Sequence, residues 1–409
     1  MKIQFISENF PPESNAAASR VYERACYWVK WGHQVTVITS APNFPEGKLF
    51  PGYKNDWKQF EIMSGIKVVR VKTYIAANEG IAHRTFDFLS FMVTGFFAAL
   101  KDERPDIIVA TSPQFFTTVA GWAAGALRNV PFIFELGDLW PASIEAVGVM
   151  KKNIAFKLIE KLELFLYRRS TQITALSPSF KENLVKRGID KNKITVVING
   201  VDLARYKPQA RNLNLSKEWG LDKKFVIGYI GTHGMAHALC NVLNAAEILK
   251  YNDTIRFLFV GAGAERSKLM EHAEKNKIDN VIFMPRQPKK RMPAIWSLCD
   301  VALVHLKNSP VFSEVIPSKI FEAQAMGLPI LLAAPEGEAS RIIMNDKSGI
   351  HVPAEDPKAL ASGINKLASN KSALKTFATA ALRTAPTHSR ETQAYEMLTV
   401  LKETLRARA

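Results

Sequence analysis

Phe225-Val-Ile-Gly-Tyr-Ile-Gly-Thr-His-Gly234 joins a short β-branched and aromatic run to a turn carrying two glycines. An unbroken apolar run of this length reads as a strand buried on both faces, as in a parallel sheet. Ahead of it, residues 202–224 are polar, contain Pro208 and hold few large apolar side chains, so they read as a join between domains. Behind it the chain repeats what it did before the join, alternating short apolar runs with helical segments. That alternation is the mark of parallel α/β units. In the first half the spacing predicts strands at 2–7, 34–39, 67–73, 106–112, 131–136, 172–177 and 193–198. In the second half it predicts strands at 225–232, 256–263, 281–285, 301–306, 329–334 and 349–352. Helices are expected at 16–31, ending at Gly32, and at 153–171 after the loop GDLWPASIEAVG. The expected architecture is two doubly wound domains, 1–202 and 203–386, whose strand ends face a cleft between them. A last helix at 390–406, in a segment 387–409, is free to pack on either domain.

Length and composition agree. A chain of 409 residues exceeds one typical core, and 47% hydrophobic with 22% charged residues describes a folded globular protein. Cys26, Cys240 and Cys299 lie far apart with no Cys-x-x-Cys pair, which argues against disulfides and structural zinc and fits a reducing cytoplasm. The start, MKIQFISENFPPES, has too short an apolar core for a signal peptide and reads as a first strand. The formal net charge is +16. Such an excess suits nucleic acid, an anionic membrane or a polyanionic small molecule. The basic residues are scattered and form no nucleic-acid motif, so anionic lipid and a diphosphate remain.

Glu314-Val-Ile-Pro-Ser-Lys-Ile-Phe-Glu322 is the least ordinary segment. Pro317 is suited to the first helical position, and Gly327 stops the helix. Free backbone N–H groups there, with the Ser318 hydroxyl, would make an anion site. Lys319 sits where the helix dipole disfavours a cation unless an anion faces it. Glu322, one turn on, has two acceptor oxygens and suits a pair of sugar hydroxyls. The plainer reading is a surface i,i+3 pair between Lys319 and Glu322, with Glu314 an ordinary loop residue.

Glu314-x7-Glu322 within PSKIFEAQAMGLPI resembles the glutamate-x7-glutamate motif of retaining glycosyltransferases of family 4, which have the GT-B fold. VINGVD (197–202), FVIGYIGTHG, FLFVGAG (257–263), KIQFISENFPPESNAAASR (2–20) and ELGDLWPAS (135–143) resemble further pieces of that family. The chain is most similar to fucosamine-type transferases of O-antigen, capsule and colanic-acid clusters. The resemblance implies that Glu322 holds the nucleotide ribose and Glu314 orients the donor sugar. Ser318, Lys319 and the turn Gly231, Thr232, His233 and Gly234 would face the diphosphate, and Arg286 would lie near the base. Asp138, with Glu135 as the second choice, would line the acceptor side near the anomeric carbon, and Ser14 and Asn15 the acceptor-side loop.

Two departures stand out. Ser14-Asn15-Ala16-Ala17 replaces the glycine pair common in the first loop, and Thr232, His233 and His237 stand where relatives carry arginine and lysine. No Asp-x-Asp occurs, so no metal and no cofactor is expected, with a UDP-sugar as donor. Gly261-Ala-Gly263 falls short of a dinucleotide fingerprint. The acceptor implied is a lipid-linked saccharide, the place the cytoplasmic face of a bacterial inner membrane. HRTFDFLSFMVTGFFAAL (83–100) is too short and interrupted to span a bilayer, and reads either as a packed helix or as one whose aromatic face enters an anionic membrane surface. Residues 153–169, with Lys157, Lys161, Arg168 and Arg169, are a second such candidate. Two other readings stay open: an isomerase like UDP-N-acetylglucosamine 2-epimerase, and a non-catalytic nucleotide-sugar binding protein.

Overall fold

The computed structural model describes residues 1–44, 46–75, 81–112, 114–148 and 153–408. They form two compact units: residues 1–199 with 390–409, and residues 200–389.

The first unit holds eight strands: β1 (Lys2–Ile6), β2 (Gln34–Ser40), β3 (Lys58–Met63), β4 (Ile66–Val71), β5 (Ile107–Thr111), β6 (Phe132–Leu136), β7 (Gln172–Ala175) and β8 (Ile194–Val196). They lie in the order β3-β4-β2-β1-β5-β6-β7-β8, parallel except for β3, which runs antiparallel to β4. Strand β3 was not expected. Its six residues alternate exposed and half-buried, so it lacks the continuous apolar run that marks its neighbours. The order reverses between β1 and β5, and in such sheets the ligand crevice lies at the strand carboxyl ends beside that reversal. Strand β1 delivers the loop from Ser7 to Asn15 there, β5 delivers Ser112, and β6 delivers Gly137 and Asp138.

The C-terminal helix Arg390–Arg406 belongs to this first unit. Its Ala394, Met397, Leu398 and Leu401 join the core with Trp28 and Val21 of the helix Ala16–Lys30. Trp28 Nε1 donates to the Ala394 carbonyl at 2.9 Å, and Arg390 bonds both Glu23 and Asn199.

The second unit begins earlier than the sequence suggests. Val201 bridges to Ser389, and the Gly200 Cα lies so close to the His388 and Ser389 carbonyls that a Cβ would sit 2.8 and 2.7 Å from them. The polar stretch after it is part of this unit and contains the short helix Leu213–Glu218. Six parallel strands follow: β9 (Phe225–Ile230), β10 (Ile255–Val260), β11 (Val281–Met284), β12 (Val301–His305), β13 (Ile330–Ala333) and β14 (Gly349–Val352). Their order is β11-β10-β9-β12-β13-β14, so the reversal falls between β9 and β12. The glycine turn after β9 and the segment after β12 therefore share one crevice.

Candidate functional site

In the second unit the crevice brings together residues far apart in sequence. Strand β9 ends at Ile230, and the chain turns through Gly231 at φ +147°, a backbone open chiefly to glycine. Across from it, Gly261 at φ +155° approaches so closely that a Cβ would meet the Gly231 carbonyl oxygen at 1.9 Å. Gly263 packs on the His233 backbone in the same way. The two turns are locked by backbone hydrogen bonds: Gly231 N–H to the Val260 carbonyl, and His233 N–H to the Ala262 carbonyl, each 2.9 Å.

The helix Lys319–Met326 points its first residue at this turn. A Cβ on Gly231 would lie 3.1 Å from Lys319 Nζ, so the amine rests against the glycine backbone. Lys319 Nζ also lies 3.7 Å from the centroid of the Tyr229 ring. The side chain is 9% exposed and its amine has no hydrogen-bond partner in the protein. The surface ion-pair alternative thus fails: Lys319 is a buried cation facing an aromatic ring. Burial pulls its pKa down to about 7, against a smaller upward pull from Glu322.

The helix start is tighter than expected. Pro317 stands two residues ahead of the first helical residue, and its carbonyl accepts from Ile320 N–H, while Ser318 accepts from Phe321 N–H. These two amides are consumed by the turn and are not available to a ligand at the helix start. The Ser318 hydroxyl makes no capping hydrogen bond. Glu322 is half-buried and accepts from the Trp296 indole N–H at 3.3 Å. Glu314, expected in a loop, caps the short helix Pro310–Ser313. Arg286 lies half-buried just past β11.

Three histidines surround the amine, all neutral at pH 7. His233 is fully buried against Tyr229, Phe259 and Phe283, with its pKa lowered to about 4 by burial and then by Lys319 and Arg266. Both of its ring nitrogens, Nδ1 and Nε2, are buried without a hydrogen-bond partner in the protein, as the Lys319 amine is. Its backbone locks the turn as well, through the bond to the Ala262 carbonyl. His237 and His305 clasp each other: each Nδ1–H donates to the other's carbonyl, at 3.2 and 2.7 Å. Asn241 Nδ2 donates to His305 Nε2 at 2.8 Å, which fixes that tautomer. Burial lowers His237 to about 3 and His305 to about 4. Tyr229, Trp296, Asn241 and His305 were not singled out from the sequence, since topology alone brings them here. Thr232 carries signal of another kind: its carbonyl accepts the Tyr229 hydroxyl at 2.7 Å, pinning the ring beneath the amine.

In the first unit, Asp138 follows β6 and accepts from the Ser143 hydroxyl and the Leu139 N–H. Burial outweighs both bonds and raises its pKa to about 6. Its own amide lies 3.3 Å from the Ser112 hydroxyl, which also takes the Gly137 amide at 2.8 Å. Gly137 is needed there, because a Cβ would meet the Ser112 carbonyl oxygen at 2.3 Å and an Arg20 nitrogen at 3.1 Å. Glu135 does not join this group. It is 1% exposed and bound by Arg24 at 2.7 Å and Arg20 at 3.4 Å. Burial pushes its pKa up, but the two guanidiniums win and hold it at about 2. It is the counter-ion of two buried arginines, not an acceptor-lining acid. Asn15 caps the helix Ala16–Lys30 by accepting from Ala18 N–H, which explains a capping residue where a glycine was expected; Ser14 precedes it, half-buried.

No group of three or more His, Cys, Asp or Glu among the described residues is placed to hold a metal ion.

Comparison with known proteins places these halves. Residues 15–200 match the model of the glycosyl transferase 4-like domain, and residues 211–384 that of glycosyl transferases group 1. The chain is 24% identical over 383 residues, 90% of its length and 92% of the relative's, to the WcaI protein of Escherichia coli (strain K12), named as a colanic acid biosynthesis glycosyl transferase. It is 23% identical over 360 residues, 86% of its length and 84% of the relative's, to the GDP-mannose-dependent alpha-mannosyltransferase of Mycobacterium tuberculosis (strain CDC 1551 / Oshkosh). Among solved structures, Anabaena Alr3699/HepE in complex with UDP and glucose superposes with a TM-score of 0.75 at 17% identity, covering 98% of this chain and 99% of that one. A glycosyl transferase 4-like domain followed by a glycosyl transferases group 1 domain, each on its own doubly wound sheet, makes this chain a glycosyltransferase of the GT-B type.

Proposed function

We propose that the chain transfers a sugar, with retention, from a UDP-sugar to a polyprenyl-diphosphate-linked saccharide in bacterial surface polysaccharide synthesis. The observation that carries the donor half is Lys319: a buried, unpartnered amine resting on the glycine turn at the sheet reversal. Such an amine is costly without an anion, and a diphosphate supplies one. On this reading the leaving diphosphate is stabilised by Lys319, the Ser318 and Lys319 amides and the Gly231–Gly234 turn, without a metal. Glu322, held by Trp296, takes the ribose hydroxyls, Glu314 orients the donor sugar and Arg286 flanks the base. Asp138 stands by the acceptor and the developing oxocarbenium charge. UDP is favoured by the Anabaena structure, which contains it. The surface-polysaccharide setting rests on the relative named for colanic acid. An N-acetylated deoxyhexosamine such as fucosamine is the donor sugar we propose.

The protein is taken to act at a membrane surface. No helix among the described residues is long and apolar enough to cross a membrane. The helix Ile81–Lys101 buries one side and exposes Phe86, Val93 and Phe97 on the other. The helix Ile154–Arg169 exposes Ile154 and Leu158 beside Lys157 and Lys161. Both suit an interfacial contact with anionic lipid.

Turnover of a panel of UDP- and GDP-sugars, with and without a polyprenyl-diphosphate saccharide and with and without EDTA, tests the reading. Acceptor-dependent UDP release that survives EDTA is expected. Appearance of an epimer without acceptor, or release confined to GDP-sugars, would overturn it. Within the site, Glu322→Ala should weaken UDP binding about tenfold or more, and Glu314→Ala should lower kcat more than it lowers UDP affinity.

A further inference from the structure

The outer edge of the eight-stranded sheet carries a surface that includes none of the residues assigned to the sites above. Strand β3 pairs on one side only, with β4. Along it Gln59, Glu61 and Met63 are half-buried, whereas Lys58, Phe60 and Ile62 face outward, preceded by Trp57. Trp57 is 74% exposed, Phe60 58% and Ile62 71%. The register sets Phe60 opposite Val69 and Ile62 opposite Lys67. Lys67 Nζ in turn reaches Asp102 at 2.6 Å, just past the end of the helix Ile81–Lys101. Phe60 and Ile62 thus stand on the side of the sheet that this helix covers, with Trp57 exposed at the strand's start, and the helix itself shows Phe86, Val93 and Phe97 to solvent.

Lysines frame the row. Lys58 Nζ lies 4.5 Å and Lys67 Nζ 5.9 Å from the Phe60 ring centroid, and Lys72 Nζ 5.1 Å from that of Trp57. Residues 48–72 contain six Lys and Arg (48, 54, 58, 67, 70, 72) against two acids (56, 61), a net +4. Glu61 is already spent on Arg70. Lysine on an edge strand guards against unwanted strand pairing. That role does not account for a tryptophan, a phenylalanine and an isoleucine held outward beside it. Aromatic bodies under ammonium heads are the arrangement of a membrane interface, with rings at the acyl boundary and amines at the phosphates. Ile62 cannot stack on a base, which disfavours nucleic acid.

We propose that the β3 edge, with Trp57, Phe60 and Ile62 beside Lys58, Lys67 and Lys72, is a docking surface for an anionic lipid bilayer. The proposal rests on the membrane-surface reading above and adds the element that makes the contact.

The test uses the full chain and vesicles of phosphatidylcholine alone or with phosphatidylglycerol. Wild type should sediment with the anionic vesicles at low salt and be released at high salt. The triple change Trp57→Ser, Phe60→Ser, Ile62→Ser, at exposed positions, should lower partitioning about tenfold or more while UDP binding stays unchanged. Brominated acyl chains should quench fluorescence in wild type, and Trp57→Phe should remove most of that quenching while still binding. Equal sedimentation of the triple variant and wild type, or quenching that survives Trp57→Phe, overturns the β3 assignment and leaves the membrane reading standing. Failure of wild type to sediment overturns both. A concentration-dependent dimer abolished by the triple variant, without vesicle binding, would show that the edge pairs with a second copy and would equally overturn the proposal.

Discussion

Lys319 concentrates the chemistry of the second unit in one amine. Its pKa falls from 10.5 to about 7 because burial strips its water, with Glu322 offsetting only part. Between those values the unfolded chain binds more protons than the folded one, so the Lys319 contribution to stability rises with pH from about 7 upward. Removing the amine relieves that cost. Lys319→Met should therefore raise the Tm of the free protein at pH 6–7, with the gain fading towards pH 10, while UDP affinity falls about 10- to 100-fold. A diphosphate beside the amine favours its charged form. Wild type should then take up more protons than Lys319→Met on binding UDP, about one at pH 8 and almost none at pH 6, read by calorimetry in buffers of different ionisation enthalpy. Equal uptake by both proteins would remove Lys319 from the diphosphate.

Among the elements, strands buried on both faces were legible in the sequence to within three residues at either end. Their apolar runs are local, as at β12 (VALVH) and β5 (IIVAT). Strand β3 was not, because KQFEIM alternates and half of it is exposed. The site divides in the same way. Lys319, Glu322 and the Gly231 turn are short local motifs and could be read directly. Tyr229 beneath Lys319, Trp296 on Glu322 and the His237–His305 clasp span 26 to 90 residues of sequence, and strand order alone unites them. Glu135 misled for the opposite reason: it stands in a motif, but β6 turns it towards Arg20 and Arg24. Glu135→Gln should leave those arginines uncompensated and destabilise the first unit by about 3–5 kcal/mol in urea unfolding. A variant of normal stability with lost turnover would return Glu135 to the acceptor side.

For the whole molecule, two cores of similar size imply two unfolding events, and a ligand held by one core stabilises that core alone. Calorimetry should show UDP at 100 times its Kd raising the stability of the unit that spans 200–389 by about 2.7 kcal/mol, with the unit of 1–199 and 390–409 unmoved. Truncation before Arg390 should instead weaken the first unit, because that helix supplies Ala394, Met397 and Leu401 to its core. The +16 charge bears on encounter with anionic surfaces and not on the fold, so salt should weaken vesicle binding and leave both unfolding transitions nearly in place.

The most direct trial is a crystal structure of the chain with UDP. Diphosphate oxygens should lie within hydrogen-bond reach of Lys319 Nζ and the Ser318–Lys319 amides, beside Gly231, with the ribose on Glu322. Nucleotide bound away from β9 and the helix Lys319–Met326, with the amine still resting on Tyr229 alone, would contradict this placement.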